Sequence, residues 1–137
     1  MLSTLRIAPL LALPLAVFIL AALSAQDGSW TTSVIFTLDM ISGAQWPVSY
    51  GEVLEFGSLL ILFIEIVKAV NTEAREIINH GLSMVVAITC IILFVTNARF
   101  TNSAFFMLTT MTLIDVVAGF IITIIAARRD IGTQGHI

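Results

Sequence analysis

Cysteine, histidine, proline and charge are all scarce in this chain of 137 residues, and each shortage closes off a class of function. With Cys90 alone, no intramolecular disulfide and no CxxC redox pair is possible. The thiol falls within an apolar run, and a buried inert side chain is the plain reading, since thiol reactivity needs exposure and a lowered pKa. His80 lies beside an apolar run and His136 lies in the tail. Two such histidines and one cysteine make no zinc cluster and no bis-histidine haem site within one subunit, so no metal and no cofactor are expected. A phosphate-cradling glycine loop is missing, and no Ser, His and Asp set falls at one depth, so the chain does not read as an enzyme. Basic runs are missing as well, which argues against nucleic acid as a partner.

Charged residues make up 11 % of the chain, against about 25 % in an average soluble domain. What fills the space is hydrophobic: 58 % of residues, with a mean hydropathy of +1.05. A span needs about 20 mostly apolar residues. Runs at about 7–25, 51–70, 77–96 and 103–127 meet that length, which predicts an all-α polytopic membrane protein. Its four transmembrane helices would form one bundle with no separate soluble domain. The first run, with Arg6 ahead of it and "AALSAQD" behind, also has the outline of a cleavable signal peptide; Pro9 and Pro14 would kink or interrupt it. A retained span is the expectation.

Lys and Arg set the orientation. With the N-terminus inside, Arg6, Lys68, Arg75, Arg128 and Arg129 face the cytoplasm and only Arg99 faces out. Both termini are thus expected on the cytoplasmic side, in a bacterium that of the inner membrane. The long external loop, "QDGSWTTSVIFTLDMISGAQWPVSY", places Val34, Ile35, Leu38 and Ile41 at helical spacing. This predicts an amphipathic helix over about 30–42 at the outer interface, with Trp30, Trp46 and Tyr50 at headgroup level. The inner loop offers Asn71 or Thr72 as a cap for the third helix and Glu73 and Glu76 in its first turn, where the helix dipole favours acids.

Polar residues gather into stripes at about 100° per residue. The fourth span aligns Thr109, Thr112, Asp115, Gly119, Thr123 and Ala126. The third aligns Asn79, Ser83, Ala87, Cys90 and Asn97, with His80 at the margin, and the second aligns Gly51, Glu52, Glu55, Ser58, Leu62, Glu65 and Ala69. In lipid such stripes mark the faces that meet other helices, and Gly119 with Thr123 is a small-xxx-small pair. The first span has no stripe and reads as a peripheral helix.

Asp115 lies roughly 18–20 Å along its helix from both Ser103 and Arg128, near the bilayer midplane. An ionised aspartate there costs about 2.5–3.5 kcal/mol on insertion scales. It is therefore protonated, paired or hydrated. Bonded to Thr112, Ser83 or a backbone carbonyl, it is structural; open to exchange, it is a proton or cation site with Glu55 and Glu65 on the path. Glu65 also has a plain reading as the interfacial partner of Lys68, three residues on.

The run "LFIEIVKAVNTEAREIINHGLSMVV", with the later "FFMLTTMTLIDVVAGFIITIIAARRDIG", resembles a set of small four-helix bacterial inner-membrane proteins of unknown function. The resemblance covers roughly residues 44–132 and implies the same architecture and no activity. Two functions are expected. One is a structural or accessory subunit in the lipid bilayer, joining copies of itself as a homo-oligomer or entering a larger membrane complex through its polar helix faces. The other is an oligomeric proton- or cation-coupled transporter or channel using Asp115, Glu55 and Glu65.

Overall fold

The computed structural model describes residues 8–25, 27–70 and 74–134. Among these, four helices carry most of the chain: α1 (Ala12–Ser24), α2 (Tyr50–Ala69), α3 (Ala74–Thr96) and α4 (Ser103–Gln134). A 3-10 turn at Gly28–Thr32 and two strands, β1 (Val34–Asp39) and β2 (Gln45–Ser49), connect α1 to α2. A second 3-10 turn, Ala98–Phe100, links α3 to α4. The expected cap at Asn71 or Thr72, the side chains of Glu73, Arg75 and Glu76, and Arg6 and His136 lie outside the described residues.

The all-α expectation is corrected by the antiparallel pair of β1 and β2, which stands where an amphipathic helix was expected. Val34, Ile35, Leu38 and Ile41 suit a helical period, but "VIFTLD" suits a strand better. Its β-branched and aromatic side chains favour the pleat. In the register Phe36↔Val48 and Leu38↔Trp46, four apolar side chains share one face, while Thr37, Asp39, Gln45 and Pro47 take the other. A bulge between Val34 and Phe36 brings that alternation into phase. At the tip, Gly43 has a φ of 82°, a left-handed value that favours glycine. The hairpin passes directly into α2 through a capping box: Ser49 Oγ accepts from the Glu52 amide at 3.3 Å, and the Ser49 amide donates to Glu52 Oε2 at 2.7 Å. The donation from the Ser49 amide, aided by its hydroxyl, holds the Glu52 carboxyl below its usual pKa.

The four-span expectation is corrected as well. Two helices are long and apolar enough to cross a membrane: α3 over Ile77–Thr96, 20 residues, and α4 over Ser103–Arg129, 27 residues. At 13 residues, α1 is about 20 Å long, short of the roughly 30 Å hydrocarbon layer. Helix α2 has the length, but Glu52, Glu55, Glu65 and Lys68 leave no sufficiently uncharged window in it. The two long apolar helices are mostly uncovered, with 28 % and 22 % of their residues buried. Ile78, Val85, Ile88 and Ile92 of α3, and Leu113, Val117, Ile121 and Ile124 of α4, all point outward.

Helix α4 packs along both α2 and α3, and α1 lies across them more lightly. What seats α1 is Phe18, which is 0 % exposed and meets Trp30 and Phe105 edge-on at centroid separations of 4.8 and 4.7 Å. Phe100 completes this cluster at 4.9 Å from Phe105. A second apolar cluster, Leu11, Leu62 and Met111, joins α2 and α4 to the residue just before α1.

Candidate functional site

The polar stripes of α2, α3 and α4 are turned on one another inside the protomer. Ser58 and Glu65 of α2, Asn79 and Ser83 of α3, and Thr109, Thr112 and Asp115 of α4 are all buried. The α4 stripe stays buried only as far as Gly119, and Thr123 beyond it is exposed.

Glu65 is the hub at one end of this core. It is 1 % exposed, and the expected pairing with Lys68 is made. Its Oε1 accepts from Asn79 Nδ2 at 2.6 Å and lies 3.4 Å from Lys68 Nζ, while Oε2 accepts from the Leu10 amide at 3.2 Å. One carboxylate thereby ties the segment leading into α1, helix α2 and helix α3 together. Lys68 is steadied by a further bond to the Ala8 carbonyl at 3.3 Å.

Asp115 is 2 % exposed. The charges of Glu65, His80 and Lys68 act on it. Ser83 lies beside the Asp115 carboxyl, near enough to interact with it but outside good hydrogen-bonding geometry, and no other described residue bonds Asp115 Oδ2. The expected bond from Thr112 is not made, because the Thr112 hydroxyl donates to the Thr109 carbonyl of its own helix at 2.7 Å. Asn79 Oδ1, His80 Nδ1 and Ser83 Oγ are likewise buried without partners. Buried polar atoms are nearly always bonded, so Asp115 Oδ2 and three further buried polar atoms of α3 without partners set this core apart.

Gly119 admits the histidine. A Cβ at this position would overlap Nδ1, Cε1 and Cγ of His80, so the bare backbone of α4 is what lets the imidazole in. Gly119→Ala is expected to push the ring aside and cost about 1–3 kcal/mol, the range for overpacking a filled interior. Thermal unfolding in detergent reads this; an unchanged midpoint would mean the ring has room to move. On its open side His80 lines a crevice of about 240 Å³ with Ile77, Met84, Phe120 and Thr123.

Of the expected site residues, the structure thus brings Asp115, Glu65, His80, Ser83, Thr112 and Gly119 together. Thr123 stands at the crevice, its hydroxyl bonded to the Gly119 carbonyl at 2.9 Å. Glu55 is elsewhere, half-buried near the hairpin. Asn79 is the member that sequence reasoning placed on the right face without giving it a role. Its spacing from Ser83, one helical turn, was the available signal. Among the described residues, no three His, Cys, Asp or Glu side chains converge as a metal site.

No family model, no curated protein and no solved structure matches this chain. The resemblance read from residues 44–132 therefore rests on its motifs alone, and function has to be argued from the site.

Proposed function

We propose that this chain is an integral membrane protein, held in the bilayer by α3 and α4, whose helix core takes up and passes on a proton at Asp115 beside Glu65. The observation that carries this reading is the unpartnered Asp115 Oδ2 in the company of Asn79 Oδ1, Ser83 Oγ and His80 Nδ1. Asp115 Oδ2 and Asn79 Oδ1 can only accept hydrogen bonds, whereas Ser83 Oγ and His80 Nδ1 are groups that can give or take a hydrogen. Two acids against one lysine leave the core short of positive charge. A proton on Asp115 offsets that shortage and removes a charge that is expensive at membrane depth. His80 offers the route, with one edge in the crevice and its Nδ1 in the core. Outward of the site, Leu11, Leu62 and Met111 form an apolar plug. Access is thus from the end carrying Lys68, Arg128 and Arg129, which the Lys and Arg rule assigns to the cytoplasmic side of a bacterial inner membrane.

Proton flux in vesicles containing the purified protein tests this. Wild type is expected to dissipate an imposed pH gradient, and Asp115→Asn to lose that activity, with a protonated-carboxyl infrared band that disappears in the variant. Equal flux in the two proteins removes Asp115 from the path. A structural or accessory subunit is the second reading, favoured by one observation: both strands of the hairpin are free edges, with Val34, Ile35, Phe36 and Leu38 exposed. Absence of flux and of the infrared band in wild type selects it.

A further inference from the structure

At the hairpin end, a second feature stands apart from the Asp115 core. The apolar face of the hairpin stands beside the α2–α4 surface and walls one side of an open groove of about 500 Å³. Phe36 and Trp46 line it from the hairpin, Glu55 and Phe56 from α2, and Met107 and Met111 from α4. A more polar groove of about 490 Å³ adjoins it and shares Glu52 and Glu55. Glu55 therefore stands at the seam between an apolar trough and a wet one. Glu52 is engaged by the cap at Ser49. Glu55 makes no hydrogen bond or ion pair among the described residues, and no Lys or Arg lines either groove.

We propose that this groove binds an amphipathic organic cation, with the charged centre at Glu55 and the apolar body against Trp46, Phe56 and the two methionines. Charge complementarity selects the class. A free half-buried carboxylate lacks a counterion, and a cation within about 6 Å of an aromatic face gains further attraction. The volume suits a small organic molecule, for which pockets run from about 300 to 1,000 Å³. Methionine adapts to varied apolar shapes. A phospholipid would bring its phosphate against Glu52 and Glu55 with no basic side chain to receive it, so the occupant carries net positive charge. Met111 closes the groove toward the core, which makes this site separate from Asp115.

Tetraphenylphosphonium and its anionic isostere tetraphenylborate form the test, by equilibrium dialysis against the full chain in nonionic detergent. Wild type is expected to bind the cation saturably. Glu55→Gln, which breaks no contact within the fold, is expected to weaken it by about tenfold or more. Trp46→Ala is expected to weaken it as well, and Asp115→Asn to leave it unchanged. Tetraphenylborate and phosphatidylethanolamine are expected not to compete. Unaltered binding by Glu55→Gln, equal competition by the anion or the lipid, or no saturable binding by wild type overturns the proposal. Loss in Asp115→Asn with retention in Glu55→Gln overturns it too, by moving the cation to the core.

Discussion

Glu65→Ala is expected to be among the most destabilising single changes in this protein, by about 3–5 kcal/mol, the range for breaking a buried charged pair. The cost comes from what the carboxylate leaves behind. Asn79 Nδ2, bonded at 2.6 Å, loses its acceptor in the buried core, and the part-buried Leu10 amide, bonded at 3.2 Å, loses its own. Each orphaned donor costs about 1–3 kcal/mol. Lys68 loses its ion-pair partner but is 17 % exposed, so it can turn outward. Glu65→Gln keeps an acceptor oxygen in the same volume and is expected to retain much of the lost stability. Denaturant titration in mixed micelles, run on both variants, reads the difference. An alanine variant that loses under about 1 kcal/mol would show that Glu65 is not the tie between α1, α2 and α3.

Phe18→Ala is expected to cost about 3–5 kcal/mol, as for other fully buried aromatic side chains. Phe18 is 0 % exposed and is the aromatic side chain of α1 that meets the Trp30, Phe100 and Phe105 rings, edge-on or tilted. Deleting it leaves a void bounded by three aromatic rings and frees a helix of 13 residues too short to hold itself in a bilayer. The variant should therefore lose α1 before the rest. Protease sensitivity or cysteine labelling along α1, set against the unfolding midpoint, separates local release from global loss. Fast labelling of α1 with an intact α3–α4 pair is the expected pattern; full protection of α1 would show that α1 is held without this residue.

The stripes of α3 and α4 were legible because a helix repeats its faces every 3.6 residues, and only one face of an apolar helix can carry polar groups at low cost. Asn79, Ser83, Ala87 and Cys90, like Thr109, Thr112 and Asp115, are buried together as that period requires. The hairpin was misread for the converse reason. Over six residues, "VIFTLD" satisfies both periods, and only its pairing with "QWPVS" decides between them. Span counting failed on α1 and α2 because it weighs the length of an apolar run, whereas α1 starts only at Ala12 and α2 carries Glu52, Glu55, Glu65 and Lys68 within its 20 residues.

From its sequence alone this protein is mainly helical, poor in charge, without an intramolecular disulfide, and has an aspartate inside an apolar run. Those properties are local, set by composition and periodicity. Which partner each buried polar group meets was decided only by the tertiary structure. Glu65 reaches Asn79 across 14 positions and the Leu10 amide across 55, His80 enters over Gly119, and Asp115 keeps one oxygen unbonded. Helix packing fixes such pairings through distances between elements, and one chain read residue by residue does not contain those distances.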